Sequence, residues 1–414
     1  MTAVRRLLSG LTSPWSIGFS GFGIAYGFYH IWDSTQSGVK YDLAENLAGK
    51  TYIVTGATSG IGQATAEELA KRNARVIMAC RNREKCVEVR RDIVLNTRNK
   101  QVYCRQCDLS DFDSIVSFVS KLSKGKFELD RIDGIVHNAA TMEPERKVNK
   151  DGIEKTLATN HLGAFLMTGL LLEKMLAQPN PVRLVFVNTN LIQKKTELNL
   201  ANFNEELLPK EAKSEEEKAR PKKWDAYEVY KRTKLAEAMF AKDLSEKLKD
   251  SNISVTMADP GRTKSNLSAQ LDSDMNFFSR WMLKPVSFLM GQRRVEKAVR
   301  PVLYAVADPV MEKETGIFVN RERKEQEWGD KVDDKELRQR LWAVSAQWTR
   351  FPERLEQLHQ YIAGGEEAGK VPTSDATAPK HRMPLFEYDA RHPSSTALGA
   401  AESSGRSWKT LWLW

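Results

Sequence analysis

The sequence predicts an α/β fold built on a doubly wound, largely parallel sheet. Between residues 50 and 320, short β-branched runs alternate with segments of helical period, the pattern of repeated strand–helix–strand units. The first run ends in a glycine-rich turn, Gly56-Ala57-Thr58-Ser59-Gly60-Ile61-Gly62, that opens a helix. Composition agrees. With 41% apolar and 28% charged residues, and only 24 Gly and 15 Pro among 414, collagenous, low-complexity and wholly disordered classes are excluded.

Taken in order, residues 7–32 carry no Asp, Glu, Lys or Arg, while Arg5 and Arg6 precede them and Asp33 follows. Such a run is long enough for a hydrocarbon core, which needs ~20 mostly apolar residues. Five glycines and Pro14 dilute it; Trp15, Tyr26, Tyr29 and Trp32 suit a membrane interface. No small-residue cleavage site stands out. Residues 1–47 are therefore expected to be a membrane-associated segment and linker, with an interfacial segment or an import presequence as rival readings. A first strand is expected at 51–55 with its helix at 63–72. A second strand follows at 75–80 with a charged helix at 84–95. Further strands are expected at 101–107, 132–137, 182–188, 253–258 and 316–319, a long helix at 224–249 and a closing helix at 336–348. Residues 363–414 lose all periodicity and read as a disordered tail ending in Trp408-Lys409-Thr410-Leu411-Trp412-Leu413-Trp414.

The net charge of +9 favours anionic partners such as phosphates or acidic headgroups. No uninterrupted basic block marks a nucleic-acid footprint, and none is expected. Cys80, Cys86, Cys104 and Cys107 are too few and too clustered for a disulfide framework. Cys104 and Cys107 fall three apart on a predicted strand and so face opposite sides. They read as small apolar strand residues, and no metal site is expected.

Three constellations carry chemistry. The glycines of the turn permit positive φ and close approach of backbone to a pyrophosphate, which the helix N-terminus then attracts. The spacing is T-G-x-x-x-G-I-G rather than G-x-G-x-x-G. The second strand ends in Cys80-Arg81-Asn82-Arg83, without the carboxylate that would bind a ribose 2′-hydroxyl. Arg81 can pair with a 2′-phosphate, so NADP(H) is favoured and NAD(H) is the alternative. Asp108-Leu109 ends the third strand and is placed to accept from an adenine amine. Finally, Tyr230 and Lys234 lie four apart on the 224–249 helix and share a face. A phenol titrates near 10, and a neighbouring ammonium is expected to lower that value toward useful acid–base range. Tyr227 and Lys231 offer a second register with the same spacing.

These residues resemble the short-chain dehydrogenase/reductase superfamily, most closely its retinol-dehydrogenase-like members, over roughly residues 48–350. The likeness rests on the glycine turn, Asp108-Leu109, His137-Asn138-Ala139-Ala140, Asn160-His161-Leu162-Gly163, the Tyr–Lys helix and Asp259-Pro260-Gly261. It implies a Rossmann-like single catalytic domain over residues 48–362. Thr233-Lys234-Leu235-Ala236 matches the family pattern around the lysine, so Tyr230 is the implied acid/base. Lys234 is the implied ribose ligand and tuner of the phenol, and Asn160 the implied holder of a relay water. The resemblance also assigns Gly56, Thr58, Ser59, Gly60, Ile61, Gly62, Arg81, Asp108, Leu109, Asn138, Tyr230, Lys234, Pro260, Gly261 and Ser265 to the cofactor. Pairing into a homodimer is implied by the same analogy.

Departures from the pattern are as informative. Where the family has Val-Ser-Ser, this chain reads Val187-Asn188-Thr189-Asn190, so Thr189 stands for the catalytic serine. Its branched Cβ restricts χ1. Ala140 replaces a glycine. A charged insertion at 194–223, expected to be solvated, separates Thr189 from Tyr230. The family's lid region here holds Asn276-Phe277-Phe278, Trp281-Met282-Leu283 and Phe288-Leu289-Met290, which suit a lipophilic substrate or a bilayer.

The expected function is NADP(H)-dependent interconversion of an alcohol and a carbonyl on a lipophilic substrate of retinoid, steroid or lipid-aldehyde class. The expected location is a membrane surface, the endoplasmic reticulum first, with lipid droplet or mitochondrion as alternatives. The rival reading, motivated by Thr189 and Ala140, is a catalytically weak dinucleotide-binding scaffold for membranes or partner proteins; a purely structural membrane-surface protein ranks third.

Overall fold

The computed structural model of the chain describes residues 23, 26, 27, 41–193, 196–204, 224–261, 263 and 295–364. One sheet of eight strands runs in the order β3-β2-β1-β4-β5-β6-β7-β8. These are β1 (Thr51–Thr55), β2 (Arg75–Cys80), β3 (Val102–Gln106), β4 (Gly134–His137), β5 (Val182–Val187), β6 (Ile253–Ala258), β7 (Ile317–Val319) and β8 (Glu325–Gln326). Neighbouring strands are parallel up to β7, and β8 pairs antiparallel with β7. The seven parallel strands fall within two residues of the expected spans. With two residues, β8 is too short to show an alternating pattern.

The helices are α1 (Gly60–Lys71), α2 (Arg83–Thr97), α3 (Phe112–Ser123), α4 (Gly163–Ala177), α5 (Ala226–Lys247), α6 (Arg300–Ala307), α7 (Lys335–Trp348) and α8 (Phe351–Ala363). Side chains alternate across each strand, so one sheet serves two cores. In β1, Ile53 joins the core shared with Phe112, Phe165, Phe240 and Trp342, on the side of α3, α4, α5 and α7. Tyr52 and Val54 join the opposite core with Leu69, Val89 and Val302, under α1, α2 and α6. Phe351, Leu355 and Leu358 recur at helical spacing and bury α8 against the first core, which extends the domain beyond the predicted closing helix.

The order of strands reverses its direction of growth between β1 and β4. That is the switch point at which a crevice opens beyond the strand ends.

Tyr41, Leu43 and Leu47, within the stretch expected to be linker, dock on the second core. The Arg72 guanidinium donates to the Leu43 carbonyl and pairs with Asp42, both at 2.6 Å, and the Tyr41 hydroxyl donates to Asp308 at 2.8 Å. No helix among the described residues is long and apolar enough to cross a membrane. The expected hydrophobic segment 7–32, apart from Gly23, Tyr26 and Gly27, lies outside the described residues, as do the tail beyond Gly364, residues 264–294 with the apolar segment, and 205–223 of the insertion. The start of that insertion is built in rather than solvated. Phe203 is buried and stacks on Trp348, while Asn204 accepts from the Glu154 amide at 2.7 Å and donates to the Gly152 carbonyl.

The cysteines require a correction. Cys107 and Cys104 do face opposite cores, but Cys104 on β3 is disulfide-bonded to Cys86 on α2, with Cα atoms 5.9 Å apart. The two are 18 residues apart in sequence, and only the packing of α2 across β2 and β3 makes them neighbours. Cys80 and Cys107 remain free and buried.

Candidate functional site

The glycine turn sits at the carboxyl end of β1. Gly56 and Gly60 have φ of +65° and +55°, which only glycine adopts without strain. Gly62 is fixed by crowding: a Cβ there would lie 2.5 Å from the Gly56 carbonyl oxygen, and closer still to Asn138 Nδ2. Asn138 therefore reaches across the switch point. Its side chain donates to the Thr55 carbonyl at 3.0 Å, while the amides of Asn138 and Ala139 both donate to Thr55 Oγ1 at 3.0 Å. This assigned cofactor residue is a brace between β1 and β4.

At the mouth, Ser59 precedes α1 without making a side-chain cap, and the first turn holds no acidic residue. The leading amides of α1 thus have no intrahelical or capping partner, and the helix end favours an anion. Thr58 and Ile61 flank them. A backbone cradle that tolerates no Cβ, backed by an uncapped helix, fits the pyrophosphate of a dinucleotide. Arg81 is exposed at the first position beyond β2, where Asn82 caps α2 by accepting from the Lys85 amide at 2.8 Å. Asp108 lies beyond β3, its Oδ1 accepting from the Ser110 amide and hydroxyl at 2.9 and 2.7 Å. The Leu109 carbonyl packs on Gly163, where a Cβ would meet it at 2.5 Å.

The second half of the site forms where α5 packs over β5 and β6 and reaches the end of β5. Asn160 lies in a π-helical turn, Ala158–Leu162, that leads into α4. Its side chain accepts from the Thr141 amide at 2.8 Å and donates to the Thr141 carbonyl at 2.9 Å and to Thr233 Oγ1 at 3.0 Å. It ties the loop after β4 to the residue before Lys234. Thr189 follows β5, half-buried, its amide held by Asn188 Oδ1 at 2.8 Å. Gly261, at φ +72°, turns the chain after β6, with its amide on Asp259 Oδ1 at 2.7 Å. Pro260 is buried beside it. Ser265 lies outside the described residues.

The two Tyr–Lys registers part here. Lys231 pairs with Glu228 at 2.5 Å and lies 5.3 Å from the Tyr227 ring centre, a self-contained cluster on the side of the helix. Lys234 instead runs inward and is 2% exposed. Its ammonium donates to the Val187 carbonyl at 2.9 Å and to Glu237 Oε2 at 2.7 Å. Asn188 Nδ2 donates to the same Glu237 oxygen at 3.0 Å and to the Lys234 carbonyl at 2.9 Å.

Glu237 reverses one expectation. Burial first, then the negative charges of Glu237 and Asp259, hold the Tyr230 phenol above its ordinary value rather than below it. The lysine's charge is spent on Glu237, whose own carboxyl burial pushes up to about 7 against the pull of Lys234. Sequence reasoning missed Glu237 and Asn188. The available signal was an acid three residues beyond the lysine on a face that must be buried.

A separate cavity of about 420 Å³ is lined by Ser110, Asp111, Lys147, Val148, Asn149, Lys150 and Lys155 and contains none of these residues. Lys150 there is committed to Asp111 and Asp113, and Lys147 to Glu143 and Glu145. No group of three or more potential metal ligands occurs among the described residues.

The short chain dehydrogenase family model matches residues 50–198. Retinol dehydrogenase 13 of Mus musculus is 34% identical over 300 residues, covering 72% of this chain and 84% of that protein. The chain belongs to the short-chain dehydrogenase/reductase family. Retinol dehydrogenase 11 of Homo sapiens is 36% identical over 245 residues, covering 59% and 69% of the two chains. Among solved structures, an uncharacterised protein from Mycobacterium paratuberculosis aligns with a TM-score of 0.56 at 26% identity, over 75% of this chain and 96% of its own. As a retinol-dehydrogenase-like short-chain dehydrogenase, the protein is an oxidoreductase acting on CH–OH groups, with a fold that binds a nicotinamide dinucleotide.

Proposed function

We propose that the protein is an NADP(H)-dependent oxidoreductase that interconverts an alcohol and a carbonyl on a lipophilic substrate, of retinoid, steroid or lipid-aldehyde class. The observation that carries this reading is convergence: the anion cradle after β1, Thr189 after β5 and the Tyr230–Lys234 face of α5 all meet at the carboxyl edge of one parallel sheet. The relatives named as retinol dehydrogenases support a lipophilic alcohol or aldehyde over a sugar.

When bound, the nicotinamide would supply or accept the hydride. The chain's own residues then have separable tasks. Gly56 to Gly62 and the α1 amides seat the pyrophosphate. Arg81, exposed beyond β2, is available to a 2′-phosphate, which is the argument for NADP(H). The Thr189 hydroxyl polarises the substrate oxygen. Tyr230 gives its phenolic proton to the developing alkoxide in reduction and takes it back in oxidation. Lys234 holds the cofactor ribose with the N–H that Val187 and Glu237 leave over. Asn160 keeps the Thr141 loop and α5 in register around them.

Residues 7–32 would place this domain on a membrane, the endoplasmic reticulum first, and family analogy supports a homodimer. The test is NADPH oxidation by the full chain against a panel of lipophilic aldehydes and ketones, with NADH in parallel and Tyr230→Phe as the control. Turnover that survives Tyr230→Phe unchanged removes the mechanism, and equal efficiency with NADH removes the cofactor assignment.

A further inference from the structure

The proposed reaction uses Tyr230, Lys234, Thr189 and Asn160 but leaves a fifth polar group sealed behind them. Glu237 is 1% exposed, one helical turn beyond Lys234 on α5. A carboxylate in that position is costly unless paired and hydrogen-bonded. It is both. The Lys234 ammonium and the Asn188 amide each donate to its Oε2, at 2.7 and 3.0 Å.

Asn188 is the hub. One hydrogen of its Nδ2 goes to Glu237 and the other to the Lys234 carbonyl, while its Oδ1 accepts the amide of Thr189. A single side chain thus fixes the carboxylate, the backbone of the lysine and the backbone of the hydroxyl residue. Of the three N–H bonds of Lys234, two are consumed inside the protein, by Val187 and Glu237.

We propose that Glu237, anchored by Asn188, is a positioning residue for this active site: it fixes Lys234 against the end of β5 and offsets the lysine's positive charge at Tyr230. The inference rests on the acid–base role given to Tyr230 above and names the group that governs it.

On α5, Tyr230 is a titratable neighbour of the Lys234–Glu237 pair. From β4, His137 faces the lysine and is held neutral, pushed down to about 3 by burial and then by the Lys234 charge. From the turn after β6, Asp259 adds negative potential at the phenol. Glu237 acts before Asp259, second only to burial, in holding the phenol high. Removing its charge therefore lowers the proton affinity of Tyr230 twice over, by deleting a negative neighbour and by leaving the charge of the Lys234 ammonium uncompensated.

The experiment compares wild type, Glu237→Gln and Glu237→Asp as full chains. The first readout is kcat/KM for oxidation of an active alcohol across pH 8–10, below the titration of the raised phenol. Only the deprotonated phenol accepts the substrate's proton, so in this range the rate follows the phenolate fraction and reports its proton affinity. It is expected to rise about threefold or more at each pH in Glu237→Gln, which removes the charge, and less in Glu237→Asp, which keeps it. The second readout is the Kd for NADPH by fluorescence titration at pH 8, expected to weaken about threefold or more in Glu237→Asp, whose shorter side chain draws the ammonium away from the end of β5, and to stay within twofold in Glu237→Gln, whose carbonyl oxygen accepts the same two hydrogen bonds. Replacing a carboxylate with a merely structural role would lower the melting temperature and leave the oxidation rate and the NADPH affinity in place.

Alcohol oxidation by Glu237→Gln and NADPH affinity of Glu237→Asp both within twofold of wild type overturn the inference. If Glu237→Gln does not fold, the NADPH titration of Glu237→Asp decides by the same limit. If wild type reduces no substrate in the panel, that result counts against the proposed function, and the NADPH titration alone decides the role of Glu237.

Discussion

Gly62→Ala tests the reading of the glycine turn most sharply, because two opposed effects can be weighed beforehand. Gly62 lies in the first turn of α1, where alanine is favoured over glycine by up to about 1 kcal/mol in helix propensity. Against that, the new Cβ would sit 2.5 Å from the Gly56 carbonyl oxygen, where ordinary van der Waals contact begins at 3.4 Å. Roughly 0.9 Å must be found by lifting α1 from the turn or by breaking the Asn138 bond to Thr55. Overpacking of that kind costs about 1–3 kcal/mol. The net loss of stability is therefore about 0–2 kcal/mol, a fall of a few degrees in Tm for a domain this size. Binding should suffer more, because the displaced amides are those that receive the pyrophosphate, and a misplacement of about 1 Å can cost on the order of a hundredfold. NADPH affinity of Gly62→Ala, read by fluorescence titration beside a thermal melt, should weaken at least tenfold while most of the fold's stability is kept. A raised Tm with unchanged affinity would show that Gly62 is an ordinary helix glycine and that the close approach is unreal.

Tyr230→Phe should lower kcat by about 10²–10⁴ with NADPH affinity within a few-fold, since the phenol moves a proton and Lys234 holds the ribose; comparable losses in kcat and affinity would mean a binding role. The Cys86–Cys104 bridge closes a loop of 18 residues, worth about 3 kcal/mol by chain entropy. Dithiothreitol should therefore lower the urea midpoint of wild type and leave the Cys86→Ser/Cys104→Ser variant unmoved; two newly titratable thiols with no change in midpoint would speak against the bridge as a stabilising link. Burial pushes His137 and His161 down to about 3, so the stability they contribute is present above the ordinary value of 6.5 and is lost as pH falls below it. Glu237, pushed up to about 7 from 4.5, works in the opposite sense between those values. Two histidines against one carboxyl leave a net loss of about 1.5 kcal/mol between pH 6.5 and 5, and equal unfolding free energies at the two pH values would show that the imidazoles are not sealed.

How much of this was legible in the chain depends on whether the signal was local. Strands were readable because each is a short apolar run between turns, and a parallel sheet needs nothing else to announce it. Gly56, Gly60 and Gly62 were readable because a backbone constraint leaves glycine as its mark. Tyr230 and Lys234 were readable as an i, i+4 pair, and the threonine before the lysine selected their register through family likeness. Asn138 was legible as a position but not as a role: its tie to Thr55 spans 83 residues.

The sheet, the glycine turn and the i, i+4 spacing of Tyr230 and Lys234 are local features, each written within a few residues of itself, which is why the chain shows them before it folds. Tertiary structure alone decided what surrounds that pair. Asn188 and Glu237 meet 49 residues apart, and Cys86 finds Cys104 across two elements. A charge in sequence has no environment until strands and helices close over it. Folding put Glu237 where water cannot screen it, and so turned a helix glutamate into the partner that takes the charge of Lys234 and leaves the Tyr230 phenol a weaker acid than its spacing implied.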